Sequence, residues 1–283
     1  MADDAAPDEI ETPASPKRTA AYKSIILDIF QRFYNNGDTE FEFHRDDIAV
    51  AVERTGVKSP KNPGDVIYAF RHRTALPKPI LDTQPDGLYW LILGAGDAQY
   101  RFRLSRLSHL VPTPGLMIRK IPDATPGIIN QHALTQEQAL LAKVRYNRLV
   151  DIFLGITAYS LQNHLRTKIV NYGQIEIDEL YIGVDSNAAQ YIVPVQAKGG
   201  NDKLGVIQTI QDVTFCRVGN SAGNKYENLI PRAVSTQFMS DDVIAMFELV
   251  FDGSDVSIVQ EKHYRLVDAS EVTLAELKLY SQG

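Results

Sequence analysis

Glu176 and Asp178 stand two residues apart in GQIEIDELYIGVD, with Ile175 and Ile177 interleaved. That alternation predicts a strand with both carboxylates on one face and the isoleucines on the other. A polar SNAAQ turn follows, and then a second apolar run, YIVPVQAK. On that run Gln196 and Lys198 share a face, opposite Val195 and Ala197. Folded as a hairpin, the two runs set an acidic pair beside a Gln and a Lys. Carboxylate oxygens suit a hard cation such as Mg²⁺, and an ammonium suits the phosphate that such a cation polarises. Beyond Gly199, LGVIQTIQDVTF has the pattern of a helix and carries Gln208 and Gln211 three residues apart on one face.

The elements that must position these residues read as an α/β core over residues 136–283. A helix is predicted from Gln136, capped by Thr135, with Leu140, Leu141, Val144, Leu149, Ile152 and Phe153 on its apolar stripe. ITAYSLQNHLRTKIV leads from it into the acidic strand. Strands are predicted at Leu229–Ser235, at Ile244–Phe251 and at the HYRLV segment, and a last amphipathic helix from Ser270. Helix, strand, strand, helix, strand implies a mixed sheet. Residues 111–135 hold four prolines and read as a linker.

Residues 21–110 form a second unit. Tyr22–Tyr34 is an amphipathic helix stopped at Asn36-Gly37, and Thr39–His44 alternates like a strand. Arg45–Thr55 and Asp65–Arg73 read as two further helices, and LYWLIL and QYRFRL as a hairpin about the GAGD turn. Helix, strand, helix, helix, hairpin is the order of a winged helix-turn-helix, in which the third helix enters the major groove and the hairpin touches phosphates. The third helix carries Arg71, His72 and Arg73, the loop before it Lys58 and Lys61, and the hairpin Arg101 and Arg103, with Arg106 just after. Those positions are where DNA contact needs them; the alternative is a protein-interaction or dimerisation module with arginines on a solvated face. Residues 1–20, rich in Ala, Asp, Glu and Pro, read as a disordered acidic tail.

The composition narrows the function classes. A net charge of -6 argues against a globally basic nucleic-acid binder while leaving room for local basic patches. No apolar run spans a bilayer, and the first residues lack the apolar core of a secretory signal, so a cytoplasmic location is expected. The lone Cys216 rules out an internal disulfide or a paired-cysteine metal site. No GxxxxGK[ST] or HExxH occurs, and Gly94-Ala-Gly96 lies between two strands as a turn. Among the six histidines only His164, flanked by Asn163 and Arg166 just before the acidic strand, sits near the constellation. Tyr159 and Tyr181 read as packing residues.

The Asp178…Gln196-Ala197-Lys198 pattern resembles the PD-(D/E)xK nuclease superfamily, the restriction-endonuclease-like fold, over roughly the C-terminal half of the chain. RYNRLVDIFLGITAYSLQNHLRT, GQIEIDELYIGVD and VQAKGG together look like bacterial restriction-type endonucleases. The resemblance implies Mg²⁺ held by Asp178, Gln196 and the Ala197 carbonyl, with Lys198 orienting the attacking water or meeting charge on the phosphorane. It assigns Gln208 or Gln211 to substrate positioning. It further implies cleavage of double-stranded DNA by a homodimer, with a DNA methyltransferase encoded nearby if the role is restriction. Gln196 departs from the pattern, because its position usually holds an acid. One neutral carbonyl oxygen replaces a charged pair. Glu176 is the first candidate to compensate and Glu137, on the long helix, another; Glu179 points to the opposite face of a regular strand. The departure keeps open a non-catalytic DNA-binding regulator with a degenerate nuclease domain, and a repair or mobile-element nuclease.

Overall fold

The computed structural model describes residues 16–132, 136–169, 172–199, 202–220 and 222–282. The first helix, α1 (Pro16–Phe33), starts inside the stretch read as tail, and it buries Ile25, Ile26, Ile29 and Phe30. Pro16 is tolerated there because the first helical N–H groups have no partner in any case. After β1 (Glu40–His44), α2 (Asp47–Thr55) ends where Gly56 takes φ 66°, a left-handed cap that costs glycine little. Then follow α3 (Gly64–His72), a short α4 (Lys78–Leu81), and the hairpin of β2 (Tyr89–Gly96) and β3 (Gln99–Ser105). The three strands form an antiparallel sheet ordered β1-β3-β2. Helix faces and sheet enclose a core in which Phe30, Phe41, Trp90 and Phe102 meet at ring-centroid distances of 5.1–6.1 Å, the edge and offset packings that aromatic quadrupoles favour.

The segment expected as a linker is structured. After β4 (His109–Leu110), β5 (Ile118–Pro122) lies along the edge of a larger sheet, and α5 (Gly127–His132) follows. Prolines at strand ends and on an edge withhold no ladder hydrogen bond, which is how a proline-bearing run can still be a strand. Thr135, the expected helix cap, falls outside the described residues. The long helix expected from Gln136 is two: α6 (Gln136–Tyr146) and α7 (Leu149–Leu154). Arg148 breaks it with φ 51°, and buried Asn147 turns inward. Its carbonyl accepts from Ala124 N–H at 2.6 Å and its amide donates to Thr125 Oγ1 and Lys143 O. Periodicity alone cannot show such a tether.

The larger sheet contains β6 (Thr157–Ile169), β7 (Gly173–Val184), β8 (Gln190–Lys198), β10 (Ile230–Pro231), β11 (Ala233–Phe238), β12 (Val243–Phe251) and β13 (Val256–Val267). Between β8 and β10 come β9 (Leu204–Gly205) and α8 (Val206–Val218); α9 (Leu274–Tyr280) ends the chain. The order is β5-β13-β12-β11-β8-β7-β6, with β10 beside β8. β6, β7 and β8 form an antiparallel meander; α8 then crosses over so that β11 runs parallel to β8. The sheet is therefore mixed, as expected, with one strand more at its acidic end than the sequence pattern indicated. Val193, Val195 and Ala197 pack under α6 and α7, while Ile192 and Gln196 face α8.

The N-terminal sheet is docked on this layer. Leu91 and Leu93 of β2 share a core with Val206, Ile207 and Ile210 of α8, and β4 pairs with β9. A Cβ at Gly94 would lie 2.7 Å from the Tyr172 carbonyl oxygen, so the backbones touch. Among the described residues no helix is long and apolar enough to cross a membrane.

Candidate active site

β7 and β8 pair from Val184↔Gln190 to Glu179↔Val195 and then part. β7 stays on β6 as far as Gly173, and β8 stays on β11 as far as Lys198. Asp178, Gln196 and Lys198 are the first residues beyond this fork. The Ala197 N–H has no ladder partner across the gap and donates to Asp178 Oδ2 at 2.8 Å. Lys198 Nζ donates to Glu137 Oε1 at 2.9 Å. Glu137 sits in the first turn of α6, where unpaired N–H groups favour a carboxylate. Gly199 permits this approach: a Cβ there would stand 2.6 Å from Gln136 Cβ.

Burial drives the Asp178 carboxyl up to about 6. The Lys198 ammonium and the Ala197 N–H oppose that rise; Glu137 and Glu176 add to it, Glu137 more strongly. Burial would lower the Lys198 ammonium, but Asp178, Glu137 and Asp202 outweigh it and the net shift is upward. Lys198 is thus a fixed cation held between two carboxylates.

Gln196 is buried and directed at α8. Its Nε2 donates to the Glu176 carbonyl at 3.1 Å and to Asp212 Oδ2 at 2.9 Å. A carbonyl can only accept, so the amide nitrogen must face it, and Oε1 is left buried without a partner. Burial pushes Asp212 well above the usual carboxylate range, the Gln196 N–H pulls it back, and Asp178 pushes it further up. Glu176 turns outward to Arg166 Nε at 3.3 Å and His164 Nδ1 at 3.7 Å on β6. The acid facing Lys198 is therefore Glu137. Glu179 does take the opposite face: fully buried on the α6 side, it accepts from Arg145 Nε at 2.7 Å and Ser160 Oγ at 2.6 Å.

The fork opens into a cleft of about 930 Å³. Asp178, Lys198, Glu137, Gln208 and Gln211 line it together with Tyr68, Arg71 and His72 of α3 and Arg73 just beyond that helix. Among the described residues neither the Gln208 nor the Gln211 amide makes a side-chain hydrogen bond, so both can serve a ligand. Although the chain is acidic, the lining holds six cations (Arg71, Arg73, Arg166, Lys168, Lys198, Lys203) against four acids (Glu137, Glu176, Asp178, Asp202). Its net sign suits an anion. His72, open to the cleft, is held down at about 3 by burial first and then by Arg71, Lys198 and Arg73. Desolvation likewise lowers Arg71 to about 10, which leaves it cationic, and its Nε is buried without a partner.

The remaining basic candidates do not converge here. Arg101 pairs with Glu40 and Glu42 of β1, and Arg103 lies 5.9 Å over the Phe251 ring at the docked interface. Arg106 reaches Asp255 at 4.0 Å. Lys58 and Lys61 are exposed on the loop before α3. Sequence reasoning missed Asp212 and Tyr68. α8 buries polar residues (Thr209, Asp212, Thr214) along with apolar ones, so no periodicity marks which way an acid on it points.

The donor set tests the Mg²⁺ expectation. No group of three or more His, Cys, Asp or Glu side chains is arranged to hold a metal among the described residues. Two carboxylates, Asp178 and Glu137, share the fork, and Mg²⁺ commonly takes one or two carboxylates and completes its shell with water and substrate phosphate. The residues fit that ion. No protein-family model, curated protein or solved structure matches the chain.

Proposed function

We propose that the chain is a Mg²⁺-dependent nuclease of the restriction-endonuclease-like class that hydrolyses phosphodiester bonds. One observation carries this: at a strand fork the Asp178 carboxylate lies close enough to the Lys198 ammonium for each charge to act on the other, with Glu137 2.9 Å from Lys198, in a cleft of net positive lining. The meander β6-β7-β8, the α8 crossover and the parallel β11 form a mixed-sheet core that supports this reading. The β1-β3-β2 sheet with α1, α2 and α3 supports a winged helix-turn-helix reading of the N-terminal unit.

Asp178 and Glu137 would hold the ion, which supplies a polarised phosphoryl oxygen and an acidified water. Lys198, cationic and aimed into the same space, donates to a phosphate oxygen and meets the negative charge that grows on it. Asp178 ligates only as a carboxylate, so activity rises with pH through about 6. Gln208 and Gln211 orient the substrate backbone. Gln196 braces the fork by tying Glu176 to Asp212, so its amide nitrogen is committed to structure. That commitment is the observation favouring the second reading, a DNA-binding regulator without catalysis.

A cleavage assay on plasmid and oligonucleotide DNA with Mg²⁺, Mn²⁺ or EDTA separates the two. Metal-dependent cutting that falls at least about 100-fold in Lys198→Ala and Glu137→Gln supports the nuclease. Intact DNA in every metal, with binding retained, supports the regulator.

A further inference from the structure

Resting on the nuclease reading of the cleft, we infer that Tyr68 and His72 of α3, with Arg73 just beyond it, form a stacking platform that makes the site selective for an unpaired polynucleotide strand. The size of the cleft is the first reason. α3 and the fork line one cleft, close enough that the Lys198 charge acts on His72. Its volume of about 930 Å³ falls in the range of pockets for small ligands, about 300–1,000 Å³. A space of that size suits a single strand, whose backbone threads a groove while its bases turn aside, better than a duplex, whose major groove alone is about 12 Å wide.

The chemistry of these residues is the second reason. Tyr68 is 47% exposed although it is an aromatic on a helix that buries Val66, Ile67 and Phe70. His72 approaches its ring with centroids 4.8 Å apart, and the Arg73 guanidinium lies 4.9 Å from the ring centre. Tyr68, 47% exposed with the guanidinium over its ring and the imidazole tilted 48° beside it, offers a flat surface for an unstacked base. His72 stays neutral in this setting, so it stacks without adding charge. Cations for phosphates and a flat surface for bases are the two demands of a single strand, and this one cleft holds both.

Fluorescence-anisotropy titrations in EDTA, where no cleavage occurs, test this on the full chain. The probes are a labelled 12-nucleotide DNA strand, its RNA equivalent and the DNA duplex of the same sequence. The expected result is tighter binding of a single strand than of the duplex by at least about tenfold. Tyr68→Ala should weaken single-strand binding by about 5- to 150-fold, the loss of one stacked base, while Tyr68→Phe keeps it. Duplex binding as tight as single-strand binding, or unchanged affinity in Tyr68→Ala, overturns the inference. Strand-selective binding with no metal-dependent cleavage leaves the platform standing and removes the nuclease reading beneath it.

Discussion

Asp178→Asn should make the protein more stable at neutral and alkaline pH. In the folded chain burial raises the Asp178 carboxyl to about 6, from an ordinary value of 3.8. The native state therefore holds that proton more tightly than the unfolded chain does. Stability from this group is whole below about 3.8 and is lost as pH rises through about 6. A shift of about 2 units corresponds to at most about 3 kcal/mol at pH 8. Asparagine mimics the protonated acid: its carbonyl can still accept from the Ala197 N–H, and Lys198 keeps Glu137. Discounting for residual exposure, we expect a gain of about 2 kcal/mol, or about 4–8 °C in Tm, at pH 8. Thermal melts at half-unit steps from pH 5 to 8 read it, and the gain should shrink toward the acid end. Millimolar Mg²⁺ should raise the wild-type Tm at pH 8, through binding to the native state, and leave the variant unmoved. A variant that melts below wild type at pH 8, or an advantage equal at pH 5 and pH 8, would refute the reasoning.

Gln196→Glu sets a carboxylate against the Glu176 carbonyl and beside Asp212, so it should cost about 3 kcal/mol or more in a urea titration, with Asp212→Asn in the same chain recovering part of it. A Gln196→Glu chain as stable as its parent would show that the amide does not bridge these groups. Gly94→Ala places a methyl 2.7 Å from the Tyr172 carbonyl oxygen, between two backbones with no side chain to yield. It should lower stability by about 1–3 kcal/mol, and an unchanged urea midpoint would mean that the N-terminal hairpin is not docked there.

The legible parts of the chain were those where one face is wet. Strict alternation over Ile175–Asp178 gave the strand and its acidic face because β7 there borders a cleft. α1, α2 and α3 each carry an apolar stripe over one core; the ends of α2 and α3 came within two residues, while α1 begins at Pro16, six residues before the expected Tyr22. What stayed hidden depended on tertiary partners. β6 is an edge strand with most of its side chains in solvent, so TAYSLQNHLRTKI carries no clean period. β5 reads as a proline linker until β13 lies beside it. The fork itself is invisible in sequence, since strands that part obey the same alternation as strands that stay paired.

The fork also changes what Gln196 means. Had β7 and β8 remained zipped, Asp178 and residue 196 would sit side by side and the natural partner for a cation would be an acid there. Instead the strands separate, and something must hold the Glu176 carbonyl across the gap. A carboxylate cannot do that, because two acceptors repel; an amide can, because its nitrogen donates twice. The two donations reach Glu176 O and Asp212 Oδ2. The charge withheld at 196 is then carried by Glu137, brought by the first turn of α6 to within 2.9 Å of Lys198. Placing the acid on a helix end rather than on the strand leaves it partly exposed, with its side chain 40% accessible against 19% for Lys198. A carboxylate in that position can reach a bound ion without the desolvation that raises Asp178, so the fork offers one acid from a buried strand and one from a helix end.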